Sequence, residues 1–452
     1  MEIDSTIMLT NPCAVLFMAV SALAADTSEL QNRRQRAATE FGDGILMVHA
    51  KSVADESSDG FRQDAAFYYF TGLENTLGAI LAIDGRSHQS WLFLPPPTSR
   101  ERLLAGSAGR LEGSPGSGAV KPAGIEHVVD WSELSSFLEK NATATTTLYY
   151  SAVKNSRAEL PPDISANPAN APLWALAIAQ RWPSLQLKEV GPRVKALMAV
   201  QSASELVNVI AAARATVLAV MAGIRAIRPG ISQRNVEAAV VDACWQAGAH
   251  GTAFWPWAMA GPNGIFPNPF ASLTRYDHLD VIMNAGDLVR LDVGCEWNHY
   301  GGDLGRTVPV SGRYSTDQRE IWNIFVSAYH AGVRSLREGA TVNQVFEAWR
   351  AELISHRESA RSILAQQAVD EWSKREKVPF WQIHTMNLDE GGVRGPMRAG
   401  TTIAFEPIAS IGSQGYYLED LFLITKEGAE LLTPGVPYSA EETEAAMRVT
   451  GR

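Results

Sequence analysis

Short apolar runs punctuate the first part of the chain. GILMVHA (44–50), AFYYFTG (66–72), GAILAI (78–83), SWLFLP (90–95) and TLYYSA (147–152) are rich in β-branched and aromatic residues and are bounded by polar stretches. Runs of that length and composition predict strands. A Gly/Ser-rich stretch (106–124) reads as an exposed loop; its glycines do not follow a strand and open a helix, so they do not form a phosphate cradle. The Pro-rich LPPDISANPANAP (160–172) breaks regular structure. Residues 28–185 therefore read as an α/β unit.

Near Pro192 the period lengthens. Ser202-Ala-Ser-Glu205 has capping-box spacing, and Leu206, Ile210, Ala213, Val217, Val220 and Ile224 follow at helical intervals. Arg228-Pro-Gly-Ile-Ser232 ends that helix and caps a second one, which carries Val236, Val240 and Cys244 and stops near Gly248. Further helices are predicted around 316–336 and 342–366. Between and after them, LVRLDVGCEWNHYGGDLGRTVPV and TIAFEPIASIGSQGYYLEDLFLIT each place two β-rich runs around a turn. Helices flanking antiparallel hairpins give an α+β domain over roughly 186–440.

Length and composition agree with two domains. At 452 residues the chain exceeds what one core usually supports, and 46% hydrophobic with 19% charged residues is ordinary for a globular protein. A formal charge of −10 argues against nucleic acid or an anionic membrane as partner. Three cysteines, Cys13, Cys244 and Cys295, predict no disulfide framework, and the latter two read as small packing residues. CAVLFMAVSALAA (13–25) suits a signal-peptide h-region with Ala22-Leu23-Ala24 at the cleavage site, giving a secreted or periplasmic protein. The acidic leader, with Glu2, Asp4 and no basic residue before Arg33, favours the other reading, a cytoplasmic protein whose N-terminal segment packs on its surface. No later segment is expected to span a membrane.

The chemistry lies in the two hairpins. In LVRLDVG (288–294), alternation puts Leu288, Arg290 and Asp292 on one face, and a charge in so apolar a strand needs a partner or a job. A turn centred between Trp297 and Asn298 sets Asp292 opposite Asp303; one centred between Gly412 and Ser413 sets Glu406 opposite Glu419. Opposed positions bring Cβ atoms to roughly 5 Å, and facing carboxylates need protons or cations between them. Two such pairs in one domain favour cations. Carboxylates around two divalent ions hold a hydroxide and polarise a carbonyl. With His384 from PFWQIHTMNLDE (379–390), the oxygen-rich set suits Mn²⁺ first, then Zn²⁺, Co²⁺ or Fe²⁺. The other histidines show no ligand spacing, and no HExxH or GxSxG motif competes.

The order Asp292, Asp303, His384, Glu406 (in AFEP) and Glu419 (in LEDLFLIT) resembles the metallopeptidase family of aminopeptidase P, prolidase and methionine aminopeptidase. FRQDAAFYYFTGLE (61–74) and RVKALMAVQSASEL (193–206) also resemble that family's aminopeptidase P/prolidase branch. The resemblance implies a creatinase/prolidase-type α/β N-terminal domain and an α+β pita-bread (creatinase/aminopeptidase-like) catalytic domain. It implies a two-metal hydrolase that cleaves before proline in peptides and assembles as a homodimer or higher oligomer. Three positions depart from the family pattern. Asn268 and Gly391 stand where proton-shuttling histidines are expected, and Tyr417 stands where an Arg is expected two residues before the last Glu. Asn268 as an oxyanion donor, Glu406 as general base, and His299, Asp389 or Glu390 as stand-ins fill the catalytic roles. The departures also support a second reading, shifted chemistry on a small amide or other small molecule. A third, a non-catalytic binding module, is opposed by retention of all five ligands.

Overall fold

The computed structural model describes residues 27–51, 62–74, 76–96, 123–141, 143, 146–151, 172–265, 281–374 and 383–448. The leader (13–25), most of 106–124 and 160–172, and Asn268 lie outside the described residues.

The first domain is a mixed six-stranded sheet with helices against it. In chain order its elements are α1 (Thr27–Glu40), β1 (Gly44–His49), α2 (Ala65–Thr71), β2 (Ile80–Asp84), β3 (Gln89–Leu94) and β4 (His127–Asp130). There follow α3 (Glu133–Asn141), β5 (Thr147–Tyr150), α4 (Leu173–Arg181), β6 (Gln186–Glu189) and α5 (Gly191–Met198). The sheet order is β4-β3-β2-β1-β5-β6. Strands β1 and β2 are buried almost throughout because apolar layers cover both faces, which is why they read as continuous hydrophobic runs.

The run expected as a strand at 66–72 is helix α2. Asp64 accepts the Phe67 N–H at 2.9 Å as N-cap, and Gly72 closes the helix at φ 66°, a left-handed value that suits glycine. The helix buries Phe67, Tyr69 and Phe70 with α1 residues Ala37 and Ala38, so caps and packing override the β-propensity of its aromatics. Strand β6 is polar and largely exposed, and it pairs in parallel with β5, so the first sheet continues past residue 185. Val194 and Met198 of α5 also pack in this domain's core.

The second domain opens with α6 (Ala203–Ala226), whose Ser202/Glu205 capping box is present, and α7 (Gln233–Gln246). Helix α6 is apolar and long enough to cross a membrane, contrary to the expectation that no later segment is. Here it is a core helix, burying Val209, Ala213, Val220 and Ile224 inside the protein. Next come β7 (Gly251–Thr252), β8 (Trp257–Ala260), β9 (Leu288–Val293), β10 (Cys295–Trp297), β11 (Tyr300–Gly301) and β12 (Leu304–Pro309). Helices α8 (Thr316–Val333), α9 (Val342–Ser355) and α10 (Ile363–Trp372) follow. The helix expected over 342–366 is therefore two helices. Glu320 accepts the Arg361 and Ser362 N–H groups at 2.6 and 3.0 Å, and Ser362 caps α10, so the chain breaks between them. The last elements are β13 (Ile383–Thr385), β14 (Gly391–Gly392), β15 (Thr402–Phe405), β16 (Ile408–Ile411), β17 (Gln414–Tyr417), β18 (Asp420–Ile424), β19 (Ala429–Leu431) and α11 (Ala440–Arg448).

Cys244 of α7 and Cys295 of β10 form a disulfide, correcting the expectation of unpaired packing residues. They stand 51 positions apart in the chain, and only the packing of α7 on the hairpin brings them together. Helix α6 approaches the same hairpin closely: the Thr216 hydroxyl accepts the Cys295 N–H at 2.8 Å. A Cβ on Gly302 would stand 2.3 Å from Thr216 Oγ1 and 2.8 Å from the Ala212 carbonyl oxygen. Overpacking of this kind costs about 1–3 kcal/mol. Gly302→Ala is therefore expected to lower the thermal midpoint by several degrees, and an unchanged melting curve contradicts the close packing.

Candidate metal centre

The first hairpin turns at Asn298 and His299, both at positive φ (49° and 70°), a two-residue turn flanked by the Trp297–Tyr300 pair. The expected centre is thus displaced by one residue, and Asp292 faces Gly305 rather than Asp303. Moving the centre by one residue shifts each partner by two. Because side chains alternate with period two, that shift keeps both acids on the same face, now diagonal. The second hairpin has the predicted centre: Ile411 pairs with Gln414, Ile408 with Tyr417, and Phe405 with Asp420. Glu406 and Glu419 lie between those last two pairs. Strand β13 lies beside β15, with His384 opposite Ala404.

A two-way backbone bridge joins the hairpins. Gly305 N–H donates to the Glu419 carbonyl at 3.2 Å, and Glu419 N–H to that of Gly305 at 3.0 Å. Around it His384 Nε2 stands 3.6 Å from Asp303 Oδ2, 3.4 Å from Glu406 Oε1 and 3.7 Å from Glu419 Oε1. Asp303, His384 and Glu419 each offer a ligand atom, all within 4.8 Å of one another. Asp303, His384, Glu406 and Glu419 are buried, and the side chain of Asp292 is 14% exposed. All five predicted ligands thus come together.

The electrostatics are those of charges crowded out of water. Burial and the neighbouring Glu419 push Asp303 well above the usual carboxylate range, Asp292 up to about 6 and Glu406 up to about 8. Burial alone lowers His384, but the acids around it, Glu406 foremost, hold it well above the ordinary imidazole range. Asp303 Oδ1 and Glu419 Oε1 are buried and have no hydrogen-bond partner among the described residues. Buried carboxylate oxygens without a donor are costly unless a cation takes them. The residues present therefore fit divalent ions.

Asp292 is held by a residue not expected in the site. Arg290 Nη2 donates to its Oδ2 at 3.0 Å, and the guanidinium lies 4.1 Å from the centre of the Tyr417 ring. The signal was visible in the sequence, a second charge on the same face of the same apolar strand. Tyr417 donates its hydroxyl toward Glu419 Oε2 at 2.5 Å and Glu406 Oε2 at 3.3 Å. His299 does not join the ligands. Its Nε2 is 3.1 Å from Glu74 of the first domain and its ring 4.3 Å from that of Tyr68. Asp389 pairs with Lys195 at 2.8 Å, and Gly391 lies in β14 beside β13. A cavity of about 240 Å³ between the domains is walled by Arg62, Tyr68, Phe254, Glu296, His299 and Met386.

Comparison with known proteins agrees with this geometry. Residues 208–426 match Metallopeptidase family M24, and residues 30–149 match the Aminopeptidase P, N-terminal domain. The chain is similar to an Xaa-Pro aminopeptidase of Escherichia coli, 25% identical over 93% of this chain and 97% of that protein. It is also similar to an Xaa-Pro dipeptidase of Pyrococcus horikoshii, 29% identical over 55% of this chain and 66% of that one. Among solved structures, aminopeptidase P from Escherichia coli with the inhibitor Pro-Leu superposes with a TM-score of 0.71, at 23% identity over 94% of this chain and 99% of that chain. Proline aminopeptidase P II from Yersinia pestis gives 0.73, at 22% identity over 94% and 100%. The fold is therefore the expected one, an α/β N-terminal domain with a pita-bread catalytic domain. Residues 208–426 thus make up a metallopeptidase family M24 domain, that of hydrolases that depend on divalent metal ions, and an aminopeptidase P N-terminal domain precedes it.

Proposed function

We propose that this protein is a metal-dependent Xaa-Pro aminopeptidase or dipeptidase that takes Mn²⁺ by preference and removes the residue preceding proline. The cluster of three buried carboxylates, the partly buried Asp292 and one buried histidine, with two carboxylate oxygens that have no hydrogen-bond partner among the described residues, is the observation that carries it. Similarity to an Xaa-Pro aminopeptidase and an Xaa-Pro dipeptidase supports the substrate class. Asp292, Asp303, His384, Glu406 and Glu419 would hold the ions, which when bound supply Lewis acidity to a peptide carbonyl and to water.

The chain's own groups do the rest. Glu406, in contact with His384 and Tyr417, is the group assigned to proton transfer. Gly301 and Met386, on the cavity wall, are each two residues from a ligand, Asp303 and His384. The cavity beside the ligands would receive the substrate's N-terminal residue, with His299 in its wall rather than at the ions. Arg62 closes it from the first domain by pairing with Glu296 and donating to the Ala253 carbonyl at 2.8 Å. The Cys244–Cys295 disulfide supports an oxidising compartment, in keeping with a secreted or periplasmic protein. A homodimer or higher assembly is part of the same proposal.

Purified protein supplied with Mn²⁺ is expected to hydrolyse Xaa-Pro peptides. Metal-loaded protein that turns over small amides but no peptide in a panel redirects the assignment to the shifted chemistry. Asp303→Ala and Glu406→Ala should each abolish metal retention and activity together, read by elemental analysis beside the peptide assay; full metal content in both shows the ligands to be misassigned. The raised carboxylates predict a pH dependence. In metal-free protein the folded site keeps protons that the unfolded chain releases near pH 4, so the folded state loses stability as pH rises from about 4 toward 8. The raised histidine adds in the same direction, its contribution also being lost as pH rises. Bound ions replace these protons. The difference in melting temperature between metal-loaded and chelator-stripped protein is expected to widen from pH 5 to pH 8, and a gap that narrows contradicts these shifts.

A further inference from the structure

Between the two hairpins, two buried residues that are not ligands are seated by the partners of their neighbours. Arg290 pairs across the sheet with Thr307, and the Thr307 hydroxyl accepts the Tyr417 N–H at 2.8 Å and donates to the Tyr417 carbonyl at 3.0 Å. The backbone of Tyr417 is therefore clamped by the strand partner of Arg290. Asp292 pairs with Gly305, where a Cβ would stand 1.9 Å from Tyr417 Cε1. The tyrosine ring thus fills the side-chain space missing from the partner of Asp292. From there the ring faces the guanidinium while its hydroxyl reaches the second hairpin.

We propose that Arg290 and Tyr417 act as one positioning pair for the metal ligands, Arg290 orienting Asp292 and Tyr417 orienting Glu406 and Glu419. This role rests on the reading of those acids as ligands. Arg290 Nε and Nη1 are buried and have no hydrogen-bond acceptor among the described residues, so these do not hold the arginine by a full set of hydrogen bonds. What holds its plane is the ring, a cation–π contact worth up to about 2 kcal/mol when desolvated. In return the guanidinium fixes the carboxylate of the first hairpin against the phenol that serves the second. Carboxylates that rotate freely must be ordered by the ions themselves; carboxylates already held bind with that cost removed. The guanidinium enters from strand β9 and the ring from position 417, the position where the resemblance places an arginine.

The test is calorimetric titration of the chelator-stripped full chain with Mn²⁺, with circular dichroism reporting the fold. Tyr417→Phe, which keeps the stack and loses the donor, and Arg290→Met are each expected to weaken Mn²⁺ binding by about 10- to 100-fold. The double variant should lose far less than the product of the two, because the residues act together. An exchange variant, Arg290→Leu with Tyr417→Arg, should recover most of the affinity that Arg290→Leu alone loses. Wild-type affinity in both single variants overturns the role, and so do losses that multiply in full. If Arg290→Met does not fold, Arg290→Lys, which keeps the charge and loses the planar stack, decides in its place. A wild-type chain that takes up no Mn²⁺ overturns the ligand assignment itself, and is told apart from failure of the pair by that first titration.

Discussion

Two backbone hydrogen bonds between Gly305 and Glu419 join the hairpins on which the second domain's chemistry depends. Each hairpin alone carries two acids on one face, at the end of strands too apolar to keep a charge for free. The bridge sets the faces side by side, and β13 adds His384 from the strand next to β15. It works at this separation because residue 305 has no side chain, which leaves room for the Tyr417 ring against the first hairpin. A close approach of two backbones thus decides the distance between acids more than a hundred residues apart in the chain.

That approach has an electrostatic consequence. Carboxylates forced together away from water either keep their protons or bind cations, and the upward pKa shifts of Asp292, Asp303 and Glu406 express the first alternative. The surrounding protein resists relaxation of this arrangement. Arg306 and the Tyr329 and Tyr438 hydroxyls converge on Asp420, immediately after Glu419, at 3.0, 2.9 and 2.8 Å. Arg33 of the first domain pairs with Glu205 at 3.3 Å, which in turn accepts the Tyr300 hydroxyl at 3.2 Å near the tip of the first hairpin. The N-terminal domain is therefore coupled to the hairpin as well as closing the cavity beside it.

Much of this was legible in the residues. The hydrophobic periods of α6, the strands β1, β2, β3 and β5, the capping box at Ser202 and the turn of the second hairpin all follow from local rules, because each is satisfied by neighbours in sequence. Local pattern and structure part where local preference meets tertiary packing. AFYYFTG has the composition of a strand, yet Asp64 and Gly72 cap it as a helix whose aromatics complete the first core. The first hairpin turns one residue later than expected because Asn298 and His299 both accept positive φ, a small departure that moved the partner of Asp292 but not its face.

The sequence by itself determined which side chains were available and in what order. Five candidate ligating groups within two apolar hairpins and a short strand, in family order, were enough to single out the cluster that the fold assembles. It also exposed what was missing, a histidine at position 391 and an arginine at position 417. Only the tertiary structure decided what stands in those gaps. Arg290 meets Tyr417 because β9, β12 and β17 lie together, Cys244 meets Cys295 because α7 packs on the hairpin, and His299 turns toward Glu74 instead of the ligands. Each is a contact between residues remote in sequence, and periodicity along one strand or helix carries no information about which remote element packs against it.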